Sequence, residues 1–155
     1  MTSEAPPPNL QYVLELKVTI GPTLILGAGS FGVRRTVAIT GGTFSGAIAG
    51  RVLPGGADWQ FVESDGTVFL EAQYVIETED GTRIEVRNQG VRHGPQSVMT
   101  RVAAGEPVSP AEYYFRTTPR FFPPAGKYDW LKQSIFVGVA ERFADLVCIR
   151  IWQVL

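Results

Sequence analysis

Two alternating runs meet at Glu79-Asp80-Gly81, and the register between them constrains the fold more than any other feature of the chain. Thr67 to Thr78 and Thr82 to Gly90 both read as strands of period two. A two-residue loop of Asp80-Gly81 would set Ile84 against Glu77 and Tyr74 against Arg87, mixing apolar and charged faces. A three-residue loop with Gly81 left-handed sets Ile76 against Ile84, Tyr74 against Val86 and, on the other face, Glu77 against Arg83. We therefore expect the three-residue loop. One face then carries Val68, Leu70, Ala72, Tyr74, Ile76, Ile84 and Val86 and runs on into Asn88 and Arg92. A core face that turns polar at one end is what a barrel with a ligand mouth would show. The alternative is that these two residues lie past the edge of the core.

The rest of the chain extends the same pattern. Leu10 to Ile20 alternates cleanly, and Gly21-Pro22 is expected to end that strand. Gly27-Ala28-Gly29-Ser30-Phe31-Gly32 matches the G-x-G-x-x-G dinucleotide fingerprint. That pattern needs a helix behind it, and here the β-branched run Val33 to Ile39 and then Gly41-Gly42 follow, so a strand bend is expected instead. Thr43 to Leu53 reads as one strand interrupted by Gly46 and Gly50, and Val98 to Ala103 as another. Ile135 to Ala140 and Leu146 to Leu155 are two more, joined near Phe143, Ala144 and Asp145. Many short strands with regular turns point to an all-β, antiparallel sandwich or barrel. We expect residues 1–8, with Pro6, Pro7 and Pro8, to form a disordered tail ahead of a single domain over 9–155.

Charge and cysteine usage exclude several functions. The formal net charge is -1, which gives no electrostatic case for nucleic acid or an anionic membrane. No stretch approaches the roughly 18 apolar residues of a membrane helix. No secretory leader is visible, so a cytoplasmic location follows by default. The one cysteine, Cys148, and the one histidine, His93, form no metal-ligand cluster, and neither a metal nor a cofactor is expected.

The candidate chemistry lies in the aromatic stretch Tyr113 to Leu131 and in Asp58-Trp59. Tyr114, Tyr128 and Trp130 offer apolar bodies with polar tips, and Arg116 and Arg120 offer fixed-fork donors for an oxyanion. Those aromatics could equally roof a barrel, with the arginines in solvent. Asp58 beside an indole would have its pKa raised by desolvation and could shuttle a proton, or it could simply cap the turn after Pro54-Gly55-Gly56. His93, in a loop reading, is a solvated residue or an acid/base group at a ligand site.

Several stretches together resemble a known family. They are Gly41-Gly42-Thr43-Phe44-Ser45-Gly46, Arg51-Val52-Leu53-Pro54-Gly55-Gly56-Ala57-Asp58-Trp59, Asp80-Gly81, Asn88-Gln89-Gly90, Tyr114 to Phe121 (Tyr-Phe-Arg-Thr-Thr-Pro-Arg-Phe) and Tyr128-Asp129-Trp130-Leu131. They resemble the small β-barrel proteins of domain-of-unknown-function family number 3237, in order, from about residue 10 to the end of the chain. The resemblance implies a closed or nearly closed antiparallel barrel of lipocalin-like shape, with roughly eight to ten strands and a tendency to self-associate. It also implies pocket residues at Asp58, Trp59, Tyr74, Asn88, Tyr114, Arg116, Tyr128 and Trp130. Two positions depart from the family pattern: Phe122 stands where a glutamate is usual, and Lys132 where an asparagine is usual. If that glutamate is an acid or base, its role here would have to pass to Asp58 or His93.

The sequence thus supports a small-molecule-binding barrel, and as leading hypothesis a cofactor-independent isomerase, cyclase or lyase. It would move a proton on an aromatic or polyketide-like substrate. Asp58, Tyr114 and Arg116 are the expected catalytic residues, with Trp59, Tyr74, Asn88, His93, Tyr128 and Trp130 gripping the substrate. The alternatives are a non-catalytic carrier or sensor, and a homo-oligomeric assembly module whose aromatic stretch is the subunit contact.

Overall fold

The structure, a computed structural model, describes residues 4–155. The expected tail falls partly on residues 1–3, which lie outside the described residues, and residues 4–9 hold no helix or strand. Nine strands follow: β1 (Leu10–Gly29), β2 (Gly32–Gly46), β3 (Gly50–Val52), β4 (Gly56–Glu63), β5 (Val68–Thr78), β6 (Arg83–His93), β7 (Tyr114–Phe122), β8 (Ile135–Arg142) and β9 (Leu146–Val154). Two short α-helices, α1 (Gln96–Ala103) and α2 (Asp129–Lys132), and a 3-10 turn at Pro110–Glu112 interrupt them. Every pairing is antiparallel, in the order β1-β9-β8-β7-β6-β5-β3-β2-β4, and additional β1–β2 and β5–β4 ladders close the ring. This is the antiparallel barrel expected. No described helix is long and apolar enough to cross a membrane.

The β5–β6 hairpin has the register argued from the sequence: Ile76 faces Ile84, Tyr74 faces Val86, and Glu77 faces Arg83. Gly81 has φ of 84°, the left-handed conformation a three-residue loop demands. Glu77 accepts from both Arg51 and Arg83, at 3.1 and 3.0 Å.

Three expectations are corrected. Gly21-Pro22 does not end β1, because the register with β2 shifts between Ile20 and Thr23 and pairing then resumes to Gly29. The neighbouring strand β9 reaches only to Thr19, so proline's missing N–H breaks no ladder on that side. Thr43 to Leu53 is not one strand: β2 stops at Gly46 and β3 starts at Gly50, turning a barrel corner. Val98 to Ala103 is helical, within α1, where Met99 and Val102 bury the i, i+3 stripe of a helix. The Gly27–Gly32 segment is a hairpin tip in which Gly29 pairs with Gly32, and no helix follows it.

Closure of the ring depends on close approach at Gly42. It sits at φ of 135°, and a Cβ there would lie 2.1 Å from the Lys17 carbonyl oxygen. Gly42→Ala is expected to cost at least the ~1–3 kcal/mol of a strained backbone. The check is a lower urea midpoint with an unchanged m-value.

The two ends of the barrel differ. One end is apolar: Ile76, Ile84, Phe121, Phe136 and Leu131 are almost fully buried. There α2 is held to the β5–β6 turn by the Tyr128 hydroxyl, which donates to Asp80 Oδ2 at 3.1 Å. The other end holds the β8–β9 turn, where Ile20 N–H donates to the Asp145 carbonyl at 3.0 Å. Gly105, just after α1, lies against Ala144 of the same turn.

Candidate functional site

The interior at the second end is polar, and strand alternation places its members in rows. Asp58 on β4 pairs with Ala72 on β5, which pairs with Asn88 on β6. One row outward, Gln60, Leu70, Gly90 and Thr117 align, followed by Val68, Arg92 and Phe115. Asp58, Gln60, Leu70, Ala72, Asn88, Arg92, Phe115 and Thr117 of these rows, with Tyr74 and Arg142, line an interior cavity of about 50 Å³ whose remaining wall is apolar: Val18, Ile20, Val37 and Ile39 among others.

The Asp58 carboxyl is the centre of this cluster. Its Oδ2 accepts from Gln60 Nε2 at 2.7 Å, and the Gln60 Oε1 accepts from Arg35 Nε at 2.7 Å. Its Oδ1 is buried without a partner of full hydrogen-bond geometry, although the Glu71 backbone N–H lies close enough to the carboxyl to lower it. Tyr74 Oη, Asn88 Oδ1, Arg92 Nε and Thr117 Oγ1 are also buried without a partner. Five unpartnered polar atoms around one small cavity are unusual, because an unmade hydrogen bond on a buried group costs about 1–3 kcal/mol.

Burial dominates the electrostatics. It raises the Asp58 carboxyl to about 6, against the lowering effects of the Gln60 hydrogen bond and the Arg92 charge. Burial, and then the Asp58 charge, push the Tyr74 phenol well above its ordinary value. Arg92 is held down to about 10 by burial and by the charges of Arg142 and Arg35, while Asp58 and Tyr113 pull it up. A carboxyl near 6 exchanges protons readily at neutral pH, as a general acid or base must.

The nine residues singled out from the sequence fall into three places. Asp58, Tyr74 and Asn88 meet in the interior cavity. Trp59, Tyr114 and Arg116 meet on the outside of the barrel, in a groove of about 920 Å³ that also takes in Phe61, Phe69 and Trp152. The reason is parity: in Tyr114–Phe122 the odd-numbered residues are buried and the even-numbered ones exposed. Tyr114 and Arg116 therefore lie on the opposite face of the sheet from Asp58, so the expected catalytic trio is not brought together. His93 closes β6, exposed, opposite Tyr114 on β7, with ring centroids 5.5 Å apart. Tyr128 and Trp130 belong to the apolar end, where Trp130 packs on Phe136 at 6.3 Å. Phe122 points outward beneath Arg87 and Arg120 rather than into the cavity, and Lys132 is paired with Asp129 at 3.5 Å.

The sequence reading left out Gln60, Thr117 and Arg142 and gave Arg92 no role. Arg92 is the instructive omission, because it stood on the core face and is only 3% exposed. Its guanidinium lies over the Phe115 ring at 5.2 Å. Gln60 and Thr117 could have been found by extending the alternation of Asp58 and Phe115 by two. Nothing in the sequence signals Arg142. Among the described residues no three His, Cys, Asp or Glu side chains converge as a metal site requires.

Comparison with known proteins follows the fold throughout. A family model described as "Protein of unknown function (DUF3237)" matches residues 8–154. A UPF0311 protein of Bradyrhizobium diazoefficiens is 43% identical over 147 residues, covering 95% of this chain and 97% of the relative. The crystal structure of a conserved protein of unknown function from Rhodopseudomonas palustris superposes with a TM-score of 0.92 at 43% identity, over 97% of this chain and all of the other. That of a beta-barrel like protein from Acinetobacter baumannii gives 0.87 at 36% identity, over 99% of this chain and all of the other. A more distant relative is a hydroalkoxylation enzyme of Penicillium herquei, 24% identical over 152 residues, covering 98% of this chain and 87% of that one.

Proposed function

The chain belongs to the DUF3237 family, and from that premise we propose that it is a small-molecule-binding barrel performing cofactor-independent proton transfer at Asp58. The observation that carries this reading is the buried carboxyl itself, one oxygen fixed by Gln60 and the other without a full hydrogen bond, facing the cavity with Tyr74, Asn88 and Arg92. The Penicillium relative is named for hydroalkoxylation, and that chemistry suits the cavity. An O–H adds across a C=C bond: C–O and C–H bonds form, the π bond breaks, and the hydroxyl proton is in net terms delivered to carbon. No electrons are gained or lost, so a group that takes and returns a proton suffices. Asp58 would be that group, and Tyr74 and Arg92 would stabilise oxygen charge as it develops, the part first expected of Tyr114 and Arg116. A volume of about 50 Å³ admits a reacting group of a few heavy atoms. The body of an aromatic or polyketide-like substrate would lie beyond the rim of Ile20, Arg142 and Val147.

The second reading is non-catalytic, carriage of a ligand or contact between copies of the chain. It is favoured by the outer groove, where Trp59, Phe61, Phe69, Tyr114 and Trp152 share one face.

A thermal-shift screen against phenols, polyketides and small carboxylic acids separates the two. A ligand at a hundred times its dissociation constant adds about 2.7 kcal/mol. For the first reading the shift is expected to vanish in Tyr74→Phe and persist in Arg116→Ala, with product formation by mass spectrometry unchanged in Arg116→Ala. A shift lost in Arg116→Ala and Trp59→Ala but kept in Tyr74→Phe would move the site to the outer groove and overturn the first reading.

A further inference from the structure

Arginine outnumbers carboxylate in the interior. Arg92 and Arg142 line the cavity, and Arg35, two residues before Val37 on the same face of β2, reaches it through Gln60. Asp58 is the one carboxylate among the residues that line the cavity. Among the described residues none of the three arginines forms an ion pair with a carboxylate within 4.0 Å. Arg142 spends its Nε on the Phe143 carbonyl at 2.7 Å, and its backbone N–H on the Tyr113 hydroxyl at 2.9 Å. Arg92 Nε, at a residue 3% exposed, has no partner. Arg35 and Arg142 are half-buried, but Arg92 is a buried cation with no carboxylate paired to it, and such a charge is expensive. Around these arginines stand Tyr74, whose hydroxyl is a donor without an acceptor, and the hydroxyl of Thr117.

We propose that this cavity is an anion site that receives a carboxylate group. An Arg fork pairs with a planar two-oxygen anion through parallel N–H···O bonds. A cavity of about 50 Å³ matches a carboxylate and little more. Tyr74 and Thr117 would donate to the same oxygens, and a protonated Asp58 would supply one further donor. The site therefore favours acids over neutral phenols or alcohols, and the O–H that adds in the Asp58 reading would be the acid's own. The proposal deepens the Asp58 reading by naming the substrate class, and it rests on that reading only for what happens after binding.

The carboxylate could be free, as in acetate, or borne on a larger apolar molecule, and the test distinguishes them. Melting temperature is followed while sodium acetate or sodium benzoate is titrated against sodium chloride at equal ionic strength. Both acids are expected to stabilise the protein saturably beyond chloride, and the effect is expected to be lost in Arg92→Met. Arg92→Lys, which keeps the charge without the fork, is expected to weaken binding at least tenfold, and serves should Arg92→Met not fold. Stabilisation by acetate alone would identify a free small anion, and by benzoate as well the end group of a larger ligand. Curves that coincide with chloride, or that survive both Arg92 variants, would overturn the proposal.

Proton linkage gives a second readout. The charged or titratable groups facing the site are Asp58 from β4, Arg35 from β2, Tyr74 from β5, Arg92 from β6, Arg142 from β8 and Tyr113 just before β7. Asp58 is the one that changes charge between pH 5 and 8, so wild-type affinity is expected to fall as pH rises through about 6. In Asp58→Asn that dependence should disappear and binding at pH 8 should tighten. Asp58→Asn that binds acid but forms no product would sustain both proposals. No binding by either protein would end the anion site, whereas normal turnover by Asp58→Asn would end only the catalytic reading.

Discussion

Asp58→Asn is expected to make the protein more stable at pH 8 while removing its proton-transfer activity. The sign follows from linkage. Burial raises the carboxyl from its ordinary 3.8 to about 6 in the fold, so between those values the folded state holds the extra proton. Stability is fully present below pH 4 and is lost as pH rises through 6. The difference of some two units corresponds to about 3 kcal/mol. Asparagine resembles the protonated acid and carries no such cost. The variant should therefore melt about 6–12 °C above wild type at pH 8 and close to it at pH 4. Turnover on a substrate found by screening should fall by about 10²–10⁴-fold, the usual contribution of a positioned acid or base. A residue that weakens the fold at working pH and is indispensable to chemistry is the signature of a functional site. Equal melting temperatures at pH 8 would mean that burial does not penalise the Asp58 carboxylate, which is the premise of the catalytic reading and of the pH dependence of anion binding.

How much of this could be read in the sequence depended on parity. In β5 and β6 the inner face is apolar from Val68 to Ile76 and at Ile84 and Val86, so a single slip would bring Glu77, Glu85 and Arg87 onto it, and that fixes the hairpin, its glycine and its inner face together. The same argument carried Asn88 and Arg92 along that face, to the place where they line the cavity. In Tyr114–Phe122 aromatic residues stand on both faces, which masks the alternation. Phe115, Thr117 and Phe121 set the inner parity there, and Tyr114 and Arg116 had to lie outside. Asp58 and Trp59 suffered the same way, since adjacent strand residues point apart. The cluster as a whole was beyond local reading. Asp58, Arg92 and Arg142 come from β4, β6 and β8, and only closure of the ring places them together. α1 was missed because six residues with buried Met99 and Val102 fit a short strand as well as a helix, and length is what separates them.

The apolar end of the barrel gives the other large effect, and it tests whether the two ends are independent. Phe136 on β8 is 1% exposed. It meets Phe121 edge to face at 5.2 Å and Trp130 at 6.3 Å, so α2 is held over the end of the barrel through it. Phe136→Ala removes that ring and leaves a cavity that rigid strands on either side cannot fill. The expected loss is about 3–5 kcal/mol, or roughly 6–20 °C in melting temperature for a chain of this size. The groups hydrogen-bonded around the Asp58 carboxyl, Gln60 and Arg35, lie on β4 and β2, and at the other end the Tyr128 hydroxyl is given to Asp80. The loss should therefore be the same at pH 4 and pH 8, and the double variant with Asp58→Asn should add within about 0.5 kcal/mol. Coupling well beyond that would show that the packing under α2 reaches the carboxyl. It would return Tyr128 and Trp130 to the site from which the geometry removes them.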